Sequence, residues 1–500
     1  MAARVKRKVD VLIVGSGPVG SAFARAVHER APEARILMLE AGPQLTERPG
    51  MHVNNILDAD ARARAQLLSE GPDAEAAAAA LAADRAPQAG RARPGTAFVA
   101  RDNPAFSDGA MSTNVGGMGA HWTCACPRPG DGERIPFIPE AELDEALSAS
   151  EEYLSVRRDV FPDSPEGRAI ADTLGATYDV QLPPDRTVDR MPLACAKRDG
   201  GPYWTGTDVV LGALAEPDVN GFELRSSTVC RRLVVERSRV VAAEVHHRPT
   251  GRSERLEART FFVACDALRT PQLLWASGIR PPALGCYLND HTQVICGVKL
   301  DERLIRRTDD LERARRGELD PVVGVFWVPY SASRHPFHGQ VMHLDMSPIE
   351  IVDRSAGEHV VGLGWFLPKD VRREDRVAFS DHELDAFGMP RIRVEYALTS
   401  RDRENVEAAI EDQARGAAAL GEAVPGRPPT LVPPGSSLHY QGTTRMGEAD
   451  DGESVCDSYS RVWGFDNLFV GGNGVIPTTT ASNPTVTSVA LAIRAAVAVA

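Results

Sequence analysis

The sequence predicts an α/β fold built on a parallel sheet. Three observations carry this. Val9-Asp10-Val11-Leu12-Ile13-Val14 is a short run rich in β-branched residues that ends at a glycine turn. A helical stretch runs from Pro18 toward Arg30, and Arg35-Ile36-Leu37-Met38-Leu39-Glu40 then reads as a second strand. Strand signals return late, at Thr260–Ala264 and Asn467–Val470, each with a helical stretch beyond it. A β-α-β unit of this kind implies parallel strands buried on both faces.

The turn after the first strand is Gly15-Ser16-Gly17-Pro18-Val19-Gly20, which fits G-x-G-x-x-G. Each glycine has a physical task. Gly15 permits the tight turn, Gly17 lets the backbone approach a pyrophosphate, and Gly20 lets helix and strand pack closely. The helix start offers free N–H groups to phosphate oxygens. Glu40, at the end of the second strand, can accept hydrogen bonds from ribose hydroxyls and disfavours a 2′-phosphate. This is a Rossmann-type dinucleotide site. The unit alone does not choose between FAD and NAD.

Further along, residues from Ala61 to Pro94 differ in composition, with an alanine run at Ala76–Ala83. Alanine favours helix, so a variable surface helix or lid is expected there. A glycine-rich patch spans Asn103 to Arg128. Arg225 to Arg255 alternates like paired strands, Pro271–Ser277 reads as helix, and a long helix is expected near Arg401–Ala419. A last helix is expected from about Asn483.

Bulk properties narrow the function. The chain has 500 residues, 43% hydrophobic and 25% charged, as in ordinary globular enzymes. Its net charge of −13 gives no electrostatic support for nucleic-acid binding. Val9–Val14 is too short for a signal segment, and no apolar run nears the roughly 20 residues that span a bilayer. The eight cysteines are scattered, unlike a disulfide framework. A cytoplasmic protein is expected, with twin-arginine or unconventional export left open. Cys124-Ala125-Cys126 lacks a second ligand pair, which argues against zinc. His335, His338 and His343 could be drawn as metal ligands.

Four other segments carry a resemblance: Asn114–Thr123, Thr270–Ile279, Leu288-Asn289-Asp290-His291, and the tail from His439 to Pro484. With the glycine loop, they resemble the glucose–methanol–choline (GMC) oxidoreductases. Arg334–His338, Asp385–Pro390, Thr443–Gly447 and Ser460–Phe465 are similar to its pyranose oxidase branch and to bacterial glycoside 3-oxidases. Gly119-Ala120 stand where that branch has Ser-Thr.

The resemblance implies a Rossmann-type FAD-binding domain of the GMC and p-hydroxybenzoate hydroxylase kind. That domain would collect residues 1–60, 95–130, 190–300 and 430–500. Residues 131–189 and 301–429 would form a discontinuous substrate-binding domain on an antiparallel sheet. FAD would be held by Gly15, Gly17, Gly20, Glu40, Gly117, His121, Thr123, Val229, Gly472, Asn473, Pro484 and Thr485. His121 is the candidate for covalent attachment, and Thr123 for tuning oxygen reactivity. His439 would be the catalytic base and Asn483 its partner, and both would bind substrate with Asp345 and Ser347. The resemblance implies a place for His335, His338 and His343 on a substrate wall, so no metal is expected. Without the resemblance, His439 reads equally as a packed histidine and Asn483 as a helix cap.

The implied reaction oxidises a secondary ring hydroxyl, at C2 or C3, of a pyranose sugar or glycoside. The flavin would be reoxidised by O2 or a quinone, in a monomer or small homo-oligomer. Three rivals are a dehydrogenase that reacts poorly with oxygen, a flavin-binding protein without alcohol chemistry, and an NAD-linked dehydrogenase.

Overall fold

Residues 9–68, 97–98, 103–161, 165–198, 201–305, 326–343 and 360–497 are described in a computed structural model. The chain opens with β1 (Val9–Val14), α1 (Pro18–Arg30) and β2 (Ile36–Leu39). Helices α2 (Glu140–Leu154) and α3 (Pro165–Tyr178) follow, then strands β3 (Phe222–Arg225), β4 (Thr228–Glu236), β5 (Arg239–His247) and β6 (Arg252–Val263). Next come α4 (Asp266–Ala276), β7 (Thr292–Leu300), β8 (Phe326–Val328), β9 (His338–His343) and β10 (Val360–Leu367). The last elements are β11 (Arg376–Leu384), β12 (Pro390–Glu395), α5 (Ser400–Leu420), β13 (Leu468–Val470) and α6 (Thr485–Val497). Ala59–Leu68 is also helical, and the alanine run falls outside the described residues.

Five strands form the expected parallel sheet, in the order β3-β2-β1-β6-β13. Their registers bury Leu12, Ile13, Phe261 and Phe262 completely, so these strands lack polar alternation. The sequence suggests paired strands up to Arg255 and a separate strand at Thr260–Ala264, whereas β6 runs through unbroken from Arg252 to Val263. Its inner end pairs with β1, and its outer end pairs antiparallel with β5. The outer part, Arg252–Glu257, is exposed or half-buried along its length, whereas Phe261–Val263 at the inner end are buried.

Helix α4 begins at Asp266, earlier than the Pro271 expected from the sequence. The Asp266 carboxylate accepts from Leu268 N and Arg269 N at 2.6 and 2.9 Å, capping the first turn. Pro271 has no N–H for the Ala267 carbonyl. The Thr443 hydroxyl donates to that oxygen at 2.5 Å, so the proline is tolerated. The long helix α5 appears as expected, opened by a capping box of Thr399 and Asp402.

The second sheet is antiparallel, with β7, β10, β9 and β8 adjacent in that order. Its alternation separates two environments. On β10, Val361, Leu363, Trp365 and Leu367 join a core that includes Val406 and Ala409 of α5. Gly362, Gly364 and Phe366 lie between them and face a cavity. Strand β7 (through Leu300) belongs to this sheet, although the sequence assigns residues up to 300 to the cofactor part. Helix α2, assigned to the substrate part, packs instead against α6, with Ser150 Oγ donating to Val486 O at 2.7 Å. Its apolar face fits the parallel-sheet core, whose cluster includes Leu143 and Leu147.

A buried ion pair lies just past β10. Lys369 Nζ is 2.6 Å from Asp375 Oδ2, and both side chains are buried. The Lys369 carbonyl accepts from Asn289 Nδ2 at 3.0 Å and Thr479 Oγ1 at 2.8 Å, joining the end of β10 to the segments that carry those two residues. Removing one member of a buried pair costs about 3–5 kcal/mol, because the other charge stays buried. Lys369→Met should therefore lower the guanidinium denaturation midpoint by that order. Adding Asp375→Asn should recover part of the loss. A double variant no more stable than the single one would remove the pair as the source.

Candidate active site

A cavity of about 700 Å³ runs from the Gly15–Val19 loop to His439 and Asn483. Gly15 has φ +102°, and a Cβ there would sit 2.2 Å from Ala264 O. A Cβ on Gly20 would sit 2.0 Å from Gly15 O. These two glycines are required by the fold itself. Gly17 differs. Its nearest Cβ neighbour would be Gly116 O at 3.9 Å, so the chain leaves room there that it does not use. Such a clear approach beside a helix start suits a phosphate group.

Glu40 is buried, and burial pushes its carboxyl above the usual range. Oε1 accepts from Gly42 N at 2.9 Å, and Oε2 accepts from Ser16 Oγ at 2.7 Å. Ser16 Oγ also accepts from Gly116 N at 3.0 Å. The variable second position of the motif therefore ties Glu40 to the glycine-rich patch. Nothing in the motif pattern points to this serine.

The sequence-identified cofactor residues line this cavity, apart from Gly20 and Pro484, which lie one layer behind it. The Pro484 carbonyl accepts from Ser488 N at 2.9 Å as α6 begins. Asp345 and Ser347 lie outside the described residues. His121 Nε2 is 2.9 Å from Ser112 Oγ, while its Nδ1 is buried with no hydrogen-bond partner. Burial pushes this imidazole down to about 3, so it is neutral. An orphaned buried nitrogen is costly unless something else meets it.

At the other end, His439 and Asn483 meet. His439 Nε2 is 3.2 Å from Asn483 Nδ2, and Asn483 Oδ1 accepts from Gln340 Nε2 at 2.6 Å. Burial pushes the His439 imidazole down to about 3, well below an ordinary histidine. A neutral ring keeps a lone pair available for a proton at physiological pH. Leu438 beside it has φ +61°, a strained conformation for a branched side chain. Asp290 holds it there. This buried carboxylate accepts from Gly435 N at 3.0 Å, His439 N at 3.3 Å and the Ser437 hydroxyl. Burial pushes Asp290 up to about 7, and these three donors pull the other way.

Glu133 is a site residue that the sequence does not reveal. One oxygen accepts from Ala481 N and Ser482 N, both at 2.7 Å, and the other accepts from Ser482 Oγ at 2.8 Å. It thereby clamps the turn immediately before Asn483. Its partners lie about 350 residues away, so no local pattern could expose it. Two of the histidines considered for metal have other partners, and the His343 side chain lies outside what is described. His335 meets Asp412 at 3.1 Å, and His338 meets Gln340 at 3.1 Å. Among the described residues, no three acidic, histidine or cysteine side chains converge as a metal site.

A glycine-loop dinucleotide site and a buried His–Asn pair thus open on one cavity. Family models described as GMC oxidoreductase match residues 136–293 and 373–492. The chain belongs to the GMC oxidoreductases, a family of flavoproteins. It is 47% identical over 498 residues to a C-glycoside 3-oxidase of Microbacterium trichothecenolyticum, covering 98% of this chain and 96% of the relative. It is 48% identical over 507 residues to a C-glycoside 3-oxidase of Arthrobacter globiformis, covering 99% and 95%. A pyranose 2-oxidase of Tricholoma matsutake is 32% identical over 536 residues, covering 98% and 93%. Among solved structures, pyridoxine 4-oxidase from Mesorbium loti superposes with TM-score 0.66 at 20% identity, covering 98% of this chain and 99% of that one; this likeness is one of fold.

The glycine geometry separates two substitutions within one motif. Gly17→Val should fold normally, by circular dichroism and thermal melting, yet purify with little or no bound flavin. Gly20→Val should fail to fold, because the clash is with backbone. A Gly17→Val protein carrying a full complement of flavin would show that the open space there is not where the cofactor lies.

Proposed function

We propose that the protein oxidises a secondary ring hydroxyl of a pyranose sugar or glycoside to a ketone, with FAD as cofactor and O2 as acceptor. The observation that carries this is the buried pairing of His439 with Asn483 on the cavity that starts at the glycine loop. The substrate hydroxyl would insert where the two side chains now touch, accepting from Asn483 Nδ2–H and donating to His439 Nε2. His439 takes the O–H proton and becomes an imidazolium. Asn483 holds the same oxygen and fixes which carbon is presented. Glu133 keeps Asn483 in place, and Gly362, Gly364 and Phe366 form the wall opposite. Bound FAD would supply the two-electron acceptor. Overall, CHOH becomes C=O and O2 becomes H2O2.

Identity of 47% and 48% to C-glycoside 3-oxidases, against 32% to a pyranose 2-oxidase, favours C3 oxidation of a glycoside. The cofactor part would comprise the parallel sheet, its meander and the tail; the antiparallel sheet with α5 would form the substrate part. Thr123, on the cavity wall, is proposed to tune oxygen reactivity. No described helix is long and apolar enough to cross a membrane. Eight unpaired cysteines support a reducing compartment, the cytoplasm.

Anaerobic flavin bleaching with a phenyl C-glucoside and with D-glucose tests the reaction, with NMR of the keto product and peroxide assay in air. The C-glucoside should bleach faster and yield the 3-keto product. His439→Ala should slow bleaching about 10²–10⁴-fold at unchanged FAD content. Bleaching by neither compound, or a His439→Ala enzyme at the parental rate, would overturn the assignment.

We also propose that His121 carries the flavin covalently, through the nitrogen that lacks a partner. Acid precipitation should then leave the yellow colour in the protein pellet, and His121→Ala should release it. Colour in the supernatant of the unmutated protein would remove the covalent link alone.

A further inference from the structure

His291 ends the Leu288–His291 segment and contributes no surface to the cavity. It is buried, at 2% exposure, and its two ring nitrogens are both engaged. Nδ1 is 3.0 Å from His439 Nδ1. Nε2 is 2.8 Å from Thr480 Oγ1 and 3.0 Å from the side-chain amide of Gln441. The two imidazole planes cross at 70° with centroids 4.8 Å apart.

Two imidazole nitrogens at 3.0 Å share one proton. Both rings are held neutral by burial, so each has a single N–H and the two tautomers are interlocked. The Asn483 end sets the direction. Its Oδ1 accepts from Gln340, so its N–H faces His439 Nε2, which must be the bare nitrogen. His439 then carries its proton on Nδ1 and donates it to His291 Nδ1. His291 in turn carries its proton on Nε2 and donates toward Thr480 and Gln441. A half-turn of the Gln441 amide, whose two ends are similar in shape, presents its carbonyl there. The opposite setting would need both Asn483 and Gln340 to turn.

We propose that His291 is a positioning residue that accepts the Nδ1–H of His439 and so reserves His439 Nε2, on the Asn483 side, for the substrate proton. The inference rests on His439 being the base. The role resembles that of the acid in a Ser-His-Asp triad, where an orienting group holds the base in one tautomer. Here the orienting group is uncharged. When the substrate O–H bond breaks and an N–H bond forms on His439 Nε2, the Nδ1–H stays bonded to His291. The pair then holds one added proton and no buried carboxylate.

The test uses the FAD-loaded enzyme labelled with 15N-histidine. Long-range 15N–1H correlation should show His439 protonated at Nδ1, its signal identified by its loss in His439→Ala. His291→Asn keeps an acceptor near the position of Nδ1 and should preserve this tautomer. His291→Leu removes the acceptor and should give a mixed or Nε2-protonated His439. With a phenyl C-glucoside, anaerobic flavin reduction should slow about 10²-fold in His291→Leu, with FAD content and KM nearly unchanged. His291→Asn should recover most of the rate. A wild-type His439 protonated at Nε2 would overturn the proposal, and so would a His291→Leu enzyme at the parental rate. If His291→Leu does not fold, the wild-type tautomer and the Asn variant decide the matter. A fully active His439→Ala enzyme would instead defeat the base assignment, while the tautomer measurement would still report on the contact.

Discussion

The buried carboxylate of Asp290 is the contact on which the active end of the molecule depends. It sits two residues before β7 and collects three donors from the Gly435–His439 segment. Those bonds hold Leu438 at a positive φ and turn the next ring toward Asn483. Asn289 extends the join, exchanging backbone hydrogen bonds with Gln441 at 3.0 and 2.7 Å. A carboxyl so far from water would be expensive without such partners. It therefore makes the tail and the antiparallel sheet a single support for the His–Asn pair.

The same economy of charge governs the rest of the cavity wall. His121, His338, His439 and His291 are all pushed down by burial, so the reacting end contains imidazoles rather than imidazoliums. The carboxylates beside them, Asp290 and Glu133, are held by hydrogen-bond donors, and Lys369 is paired with Asp375. Neutral rings allow a proton to arrive on one of them without meeting a second imidazolium. They also mean that orientation must come from hydrogen bonds, which is why amides and hydroxyls such as Gln340, Gln441 and Thr480 surround the rings.

How much of this was legible in the sequence depended on the span of each interaction. The glycine loop and Glu40 could be read because the whole β-α-β unit fits within residues 9–40 and each glycine answers a local demand. The long helix α5 was read from its local pattern, but its capping box was not picked out. His439 and Asn483 were identifiable only by family resemblance, since 44 residues separate them and neither has a distinctive neighbourhood. Glu133 could not be found: its chemistry is made by backbone N–H groups that any sequence would offer. The unbroken course of β6 was missed because its two halves obey different burial rules. The early start of α4 was missed because the partner of its freed carbonyl, Thr443, is 176 residues away.

That long strand also sets a timetable. At ~3.3 Å per residue its twelve residues reach roughly 40 Å, and its neighbours come from opposite ends of the chain. β1 lies about 250 residues before its partner on β6, and β13 lies about 207 residues after it. On a ribosome, the glycine loop emerges first but has no Ala264 to rest against until half of the polypeptide has been made. The opposite edge waits until residue 470, and Asn483 comes later still. The nucleotide-binding end is thus among the first parts synthesised and the last completed. The glycine loop and Asn483, which close the two ends of one cavity, come from widely separated parts of the chain.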